Sequence, residues 1–230
     1  MILYKNTIFD MKSFSNKKII ALSCSPSRNR NSDSMLDYFI NGISEFDTEG
    51  LVDVEKIYLD DIKIANYKYE NSSGAQNDEK DFYLLTEKLK NADGLIIATP
   101  TYNFSVPGHL KNFIDRIRFL SVDLSNRDIF GQPAGKLKNL STYFLVSGGI
   151  PKWAETILFF SFPAFWLRAV FLYYDAKVLG AYYSGDVKTF ENKKILSKCQ
   201  KYGRKYAYKI LHNNKNKILE RIFWKPKQLE

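Results

Sequence analysis

One stretch, A-D-G-L-I-I-A-T-P-T-Y-N-F-S-V-P-G-H-L-K-N-F-I-D-R (92–116), predicts the central unit of the fold. Its first part, G-L-I-I-A-T (94–99), is a short apolar run of the kind that forms a buried parallel strand. A polar and aromatic loop, T-Y-N-F-S-V-P (101–107), follows. Apolar residues then recur at helical spacing, at Leu110, Phe113, Ile114 and Ile117. The stretch therefore predicts a strand, a loop and a helix in succession.

The same pattern extends along the chain in both directions. The runs K-K-I-I-A-L-S (17–23) and L-S-T-Y-F-L-V-S (140–147) are also patterns of buried strands. Residues 51–59 alternate between apolar and polar, as in a strand near a sheet edge, and a fifth strand is expected around 176–183. Five strands that alternate with helices predict an α/β fold with a parallel sheet. In the strand order 2-1-3-4-5, the sheet reverses direction between its first and third strands, and ligands bind outside the carboxyl ends of those strands.

Composition limits the classes of protein and site. The 230 residues are 45% hydrophobic and 26% charged, which is typical of a globular chain. Two cysteines and two histidines exclude a disulfide framework and a four-cysteine cluster, and disfavour a histidine metal centre. We expect one domain over residues 17–212, a polar extension at 1–16 and a basic tail at 213–230.

The net charge of +9 permits attraction to phosphorylated cofactors, nucleic acid or an anionic membrane. For the tail, a solvated basic helix end is favoured over a nucleic-acid or membrane contact. The apolar segment 157–174 is interrupted by Pro163 and Arg168, so we interpret it as a buried helix running into a strand, or as a subunit interface. Few cysteines and no recognisable signal peptide predict a cytoplasmic protein.

The loop after the first strand is the first candidate site. It opens a helix whose free amides and dipole attract anions, and Asn31 or Ser32 is the expected N-cap. Hydroxyl and amide donors with arginine suit a terminal phosphate. The candidate ligands are Ser25, Ser27, Arg28, Asn31 and Ser32.

The loops after the third and fourth strands supply the rest of the site. Aromatic rings there can stack on a flat heteroaromatic ligand, whereas the alternative for Phe104 is that it only covers the core. Glycine lets a ligand edge approach the backbone closely. The candidates are Pro100, Thr101, Tyr102, Asn103, Phe104, Ser147, Gly148 and Gly149.

Three other features are set aside. The segment G-Q-P-A-G-K (131–136) lacks the spacing of a phosphate-binding Walker loop and is interpreted as a surface turn. Cys24 is expected to be a small buried side chain rather than a nucleophile. His109 is expected at the surface or as a helix cap, and Asp115 and Arg116 in a structural ion pair or a bond to a loop.

Two motifs carry a family resemblance. I-I-A-L-S-C-S-P-S-R-N-R-N-S (19–32) resembles the G-S-P-R-x-x-x-N-T phosphate loop of NADPH-dependent FMN reductases, with Cys24 in place of glycine and Ser27 in place of arginine. The stretch 92–116 resembles the second motif, P-x-Y-x-x-x-x-x-x-x-L-K-x-x-I-D-R. Its matching positions are Pro100, Tyr102, Leu110, Lys111, Ile114, Asp115 and Arg116.

The resemblance covers about residues 17–185 and implies a flavodoxin-like three-layer sandwich that binds FMN. It implies an oxidoreductase that takes electrons from NADPH or NADH and passes them to a quinone, a flavin or another small acceptor, often as a homodimer or homotetramer. The flavin carries the chemistry, so no catalytic side chain is assigned. The iron–sulfur branch of the family has clustered cysteines after the second strand; this chain has none there, so no cluster is expected.

Two alternatives stay open from the sequence. The same loops would serve a flavodoxin-like electron carrier that does not react with NAD(P)H. The basic charge would serve a protein that binds nucleic acid or a membrane surface.

Overall fold

The computed structural model describes residues 16–71, 74, 78–127, 131–159 and 162–212. The strands are β1 (Lys17–Ser23), β2 (Val52–Tyr58), β3 (Gly94–Pro100), β4 (Val122–Arg127), β5 (Pro133–Gly135), β6 (Ser141–Ser147) and β7 (Lys177–Ser184). The helices are α1 (Asn31–Phe46), α2 (Lys80–Lys90), α3 (Gly108–Arg116), α4 (Arg118–Ser121), α5 (Lys152–Phe159), α6 (Phe162–Tyr173) and α7 (Lys193–Leu211). Short 3-10 turns lie at Leu59–Asp61, Tyr69–Asn71 and Thr189–Glu191.

The main sheet has five strands in the order β2-β1-β3-β6-β7, and every pairing is parallel. This confirms the predicted α/β fold class with a five-stranded parallel sheet. The chain also forms a separate antiparallel ribbon of β4 and β5, which the sequence did not predict. The interpretation of 131–136 as a surface turn was therefore wrong. Pro133–Gly135 is too short for strand alternation to be visible, yet Ala134 is buried.

Side chains alternate between the two faces of the sheet, and each face has its own core. Ile20, Leu22, Leu95 and Ile97 belong to the core that includes residues of α2, α3 and α6. Ile19, Ala21, Ile96 and Ala98 belong to the core that includes residues of α1 and α7. The strands are buried on both sides because helices cover both faces, which explains their continuous apolar runs.

Helices α1 and α7 approach so closely that glycine is required at the contact. A Cβ atom on Gly42 would lie 2.0 Å from the carbonyl oxygen of Gln200, and one on Gly203 would lie 2.0 Å from that of Phe39. Both neighbours are backbone atoms and cannot rotate away. This close packing holds α1 against α7 on one face of the sheet.

The apolar segment 157–174 does not form one long helix. It is divided between α5 and α6, and α6 buries Leu167 and Phe171 in the core before the chain enters β7. Within the part of the chain that the structure describes, no helix combines the length and the apolarity that crossing a membrane requires. Helix α6 thus leads to a strand as expected, but it is buried on one face only, since Phe162 and Phe165 are 44% and 54% exposed.

A buried ion pair attaches the loop 62–79 to α3. The Arg116 guanidinium donates to both carboxylate oxygens of Glu79 at 2.8 and 2.7 Å, and both side chains are fully buried. Arg116 also donates to the carbonyl oxygens of Ala65 and Gly74, at 2.9 and 2.8 Å. The expectation of a structural ion pair and a bond to a loop is confirmed.

We predict that Arg116→Met destabilises the protein by about 3–5 kcal/mol, because it leaves the Glu79 carboxylate buried without its countercharge. Urea unfolding followed by circular dichroism measures the change. The matched control is Lys63→Met, which breaks the exposed pair between Lys63 and Asp78 in the same loop and should cost at most about 1 kcal/mol. Equal losses in the two variants would contradict the prediction.

Candidate functional site

A pocket of about 370 Å³ lies at the carboxyl ends of β1, β3 and β6, where the strand order reverses. Its lining includes most of the residues that the sequence singled out: Ser25, Ser27, Asn31, Ser32, Pro100, Thr101, Tyr102, Ser147, Gly148 and Gly149. It also includes Arg30, Val187 and Phe190, which were not predicted. Arg28, Asn103 and Phe104 were predicted but do not line it.

The start of α1 presents unpaired donors to this pocket. The N-cap is Arg30, not Asn31 or Ser32 as expected, and its side chain makes no capping hydrogen bond. Asn31 and Ser32 instead lie in the first turn of the helix, whose backbone amides have no partner within a helix. An uncapped helix start with its positive end toward a cavity is a favourable place for an anion.

Two buried hydroxyl groups at the pocket are unsatisfied. Among the described residues, Ser32 Oγ and Thr101 Oγ1 are buried and have no hydrogen-bond partner, and both residues line the pocket. Ser32 follows β1 and Thr101 follows β3, so two separate elements contribute. A buried polar group without a partner is costly, and its position at a cavity indicates that a ligand supplies the partner.

The two arginines of the first loop have different surroundings. Arg28 donates to both carboxylate oxygens of Asp61, at 2.5 and 2.6 Å, and its guanidinium lies 4.2 Å from the centre of the Tyr58 ring. Arg30 lines the pocket, with its guanidinium 5.1 Å from the centre of the Phe190 ring. Among the described residues that line the pocket, Arg30 is the one with a positively charged side chain.

The loop after β7 closes one side of the pocket, because Asn31 ties it to α1. The Asn31 amide nitrogen donates to the Val187 carbonyl oxygen at 3.0 Å, and its amide oxygen accepts from the Phe190 N–H at 3.3 Å. Asn31 therefore already has protein partners on both ends of its amide. No local pattern in the sequence could have linked Asn31 to residues so far along the chain.

The loop after β3 forms a tight and strained turn. The backbones of Tyr102 and Ser105 exchange two hydrogen bonds of 2.9 Å, and Asn103 and Phe104 have φ angles of 48° and 62°. Left-handed conformations are unfavourable for residues other than glycine and often occur at functional sites. The Phe104 side chain is 52% exposed, so the alternative that it covers the core is wrong.

The loop after β6 needs glycine at one position. A Cβ atom on Gly148 would lie 2.3 Å from the Tyr183 hydroxyl oxygen, which donates to the Ile150 carbonyl oxygen at 3.0 Å. Burial raises the pKa of Tyr183, so its phenol stays protonated and the hydrogen bond persists. Gly148 thus lets the chain pass close beneath Tyr183 and turn along the edge of the pocket.

A buried carboxylate holds the first loop in its shape. Asp33, in the first turn of α1, accepts hydrogen bonds from Ser23 Oγ at 2.8 Å and from the Asn29 N–H at 2.7 Å. Lys56 Nζ lies 2.8 Å from the same carboxylate. Burial alone would raise the pKa of Asp33, but the hydrogen bonds from Lys56, Asn29 and Ser23 outweigh it and hold that pKa below its usual value.

Cys24 and His109 lie beside the first loop but do not line the pocket. Cys24 is fully buried and its burial raises the pKa of the thiol, which confirms an unreactive side chain. His109 is half-buried in the first turn of α3; burial lowers its pKa, although the nearby Asp60 and the Cys24 backbone favour its charged form. The N-cap of α3 is Pro107, so the expected capping role of His109 was wrong, and its ring is half-buried instead of lying at the surface.

The fold defines a flavodoxin-like α/β protein, with a pocket at the switch point of the sheet. The profile of the family described as NADPH-dependent FMN reductase matches residues 17–150. The chain belongs to that family, which confirms the resemblance found in its two motifs.

Relatives and solved structures agree with this assignment. An FMN-dependent NADH:quinone oxidoreductase of Mycoplasma genitalium is 31% identical over 108 residues, 43% of this chain and 53% of that protein. An iron-sulfur flavoprotein of Archaeoglobus fulgidus is 33% identical over 103 residues, 44% of this chain and 49% of that protein. This chain thus spans about half the length of these two curated relatives.

Structural similarity extends further than sequence similarity. The crystal structure of an azoreductase from Bacillus anthracis has a TM-score of 0.64 at 14% identity and covers 84% of this chain and 99% of that one. A flavodoxin from the domain Archaea has a TM-score of 0.51 at 18% identity over 84% of this chain and 98% of that one. At such identities the likeness establishes the fold.

We predict that Ser32→Ala does not destabilise the ligand-free protein, because the hydroxyl it removes is buried without a partner. The free energy of unfolding should stay the same or rise by up to about 1 kcal/mol. Urea unfolding of flavin-free protein measures it. A loss of more than about 1 kcal/mol, typical of a hydrogen-bonded group, would show that Ser32 Oγ has a partner within the protein.

Proposed function

We propose that this protein is an FMN-dependent NAD(P)H oxidoreductase that passes electrons to a quinone, a flavin or another small acceptor. The observation that carries the proposal is the pair of buried, unsatisfied hydroxyls of Ser32 and Thr101 beside the uncapped start of α1. A phosphate group has several acceptor oxygens and would satisfy both. The family and the named relatives support FMN as the ligand that brings this phosphate.

The phosphate would be held mainly by neutral donors. Ser27, Ser32 and Thr101 line the cavity together with the start of α1, and Arg30 adds one positive charge. We propose Arg30 in the role that the sequence suggested for Arg28, because the guanidinium of Arg28 is paired with Asp61. Asn31 would contribute its backbone amide, since its side chain bonds to the loop after β7.

The flavin ring would lie between the loops after β3 and β6. The exposed rings of Tyr102 and Phe104 offer surfaces for stacking, and Gly148 and Gly149 leave their side of the pocket free of side chains. When bound, FMN supplies the redox chemistry, by accepting two electrons from NAD(P)H and giving them to the acceptor. The protein's own residues bind and orient it, and we assign no acid or base to them.

Self-association and location are part of the proposal. Trp153, Ile157 and Phe162 are exposed apolar side chains on α5 and α6, and such clusters commonly form interfaces. They support a homodimer or homotetramer. Both cysteines are free, as in a cytoplasmic protein. Residues 1–15 of the predicted extension at 1–16 lie outside the described residues. So does the tail at 213–230, on which the alternative of nucleic-acid or membrane binding rests.

A spectrum and a reduction test the function directly. We predict that purified protein, reconstituted with FMN and freed of excess, shows the absorbance bands of oxidised flavin. Anaerobic addition of NADPH or NADH should bleach them, and a quinone should restore them. Protein that never retains FMN would overturn the proposal, whereas bound flavin that neither nucleotide bleaches would support the carrier alternative.

We further predict that Thr101→Val weakens FMN binding about five- to tenfold, the usual effect of losing one hydrogen bond to a charged group. Titration by quenching of flavin fluorescence measures the dissociation constant. Ser34→Ala, in the first turn of α1 but outside the pocket lining, serves as control and should leave the dissociation constant within about twofold of wild type. Equal affinities for wild type and Thr101→Val would place the phosphate elsewhere.

A further inference from the structure

The first turn of α1 carries a negative charge where the proposed ligand is also negative. Asp33 follows Ser32 directly, its side chain is fully buried, and it lies at the helix end that would hold the phosphate. Like charges at short range repel strongly when water is excluded from between them. A lone carboxylate here would therefore oppose a dianionic ligand.

The shape of the loop explains why a carboxylate is present. Asn29 adopts a left-handed conformation with a φ of 57°, and Asp33 Oδ2 accepts its backbone N–H at 2.7 Å. Asp33 Oδ1 accepts from Ser23 Oγ, at the end of β1, at 2.8 Å. One side chain thus joins the end of the strand, the strained turn and the start of the helix, which needs two acceptor oxygens.

A single lysine from the neighbouring strand offsets this charge. Lys56 on β2 places Nζ 2.8 Å from Asp33 and 2.5 Å from Asp37, with its side chain 20% exposed. Lys56 is not among the residues that line the pocket. Of the two arginines in the loop after β1, Arg28 is paired with Asp61, and Arg30 lines the pocket beside the Phe190 ring.

We propose that Lys56 is a positioning residue that makes the site selective for the phosphorylated flavin over the unphosphorylated one. By pairing with Asp33 it cancels the charge of the carboxylate that shapes the loop, so the helix start remains attractive to phosphate. The proposal rests on the proposed function, since it concerns the same pocket. Lys56 acts through Asp33 and needs no contact with the ligand.

The protonation states support this pairing. Burial would lower the pKa of Lys56, but hydrogen bonds to Asp33 and Asp37 reverse the effect and raise that pKa above its usual value. Lys56 therefore stays charged at neutral pH, and Asp33 stays ionised. Lys56 thus offsets the buried charge of Asp33, while the side chain of its second partner, Asp37, is 42% exposed and is screened by solvent.

The test compares two ligands that differ only in the phosphate. Dissociation constants of FMN and riboflavin are measured by fluorescence quenching for wild type and Lys56→Met. We expect the variant to bind FMN at least about tenfold more weakly, and riboflavin within about threefold of wild type. Lys88→Met is the matched control, because Lys88 pairs with Glu55 of the same strand and its loss removes the same net charge away from the pocket. It should leave both constants nearly unchanged.

A double variant separates charge from damage to the fold. Lys56→Met combined with Asp33→Asn removes both charges. The asparagine oxygen can still accept the Asn29 N–H, and its amide nitrogen can donate to Ser23 Oγ, because a hydroxyl also accepts. FMN affinity relative to riboflavin should therefore return to within about threefold of wild type. If Lys56→Met alone does not fold, this double variant carries the test. Parallel weakening of both ligands, or no recovery in the double variant, would overturn the proposal. A wild type that binds neither flavin would instead overturn the proposed function.

Discussion

The parallel register of β1, β3 and β6 determines where every loop of the site begins. The first residue after each strand still donates a hydrogen bond to the neighbouring strand. The Cys24 N–H donates to the Ala98 carbonyl oxygen at 2.8 Å, and the Thr101 N–H donates to the Ser147 carbonyl oxygen at 2.7 Å. The Gly148 N–H likewise donates to the Ser184 carbonyl oxygen at 2.8 Å. Because these bonds align the strand ends, three loops that are distant in sequence leave the sheet at one level and enclose one pocket.

The sequence was sufficient to predict the features that depend on a local residue pattern. Buried runs such as 94–99 predicted the strands, and the alternation of strands with helices placed the loops after β1 and β3 together. It was insufficient where side-chain direction depends on loop conformation. The left-handed turn at Asn29 separates Arg28, which pairs with Asp61, from Arg30, which lines the pocket. Val187 and Phe190 reach the site only through tertiary bonds to Asn31, which leave no signal in their own neighbourhood.

Two ion pairs hold loops of this fold in place, and they have different structural roles. Arg116 and Glu79 attach the loop 62–79 to α3, where the carboxylate and two backbone carbonyls of that loop accept hydrogen bonds from both terminal nitrogens of the guanidinium. Asp33 and Lys56 instead shape the loop after β1, directly beside the pocket. A buried ion pair is seldom retained for stability alone, since an apolar pair of equal volume often serves as well. Both ion pairs are better explained by the loop geometry that they specify.

The polar groups at the pocket are therefore of two kinds: those with hydrogen-bond partners in the protein and those without. The groups that shape it, Asp33, Asn31 and Tyr183, already have protein partners, so the loops hold their form before a ligand arrives. The hydroxyls of Ser32 and Thr101 have no partner among the described residues, so a ligand that bonds to them would add hydrogen-bond energy that the free protein lacks. A site whose buried donors remain unpaired without the correct ligand discriminates sharply against analogues that lack the matching acceptors. The unpaired hydroxyls are therefore a stronger argument for a phosphorylated ligand than the net charge of the chain is. They lie at fixed positions beside the pocket, whereas the net charge is spread over the whole surface.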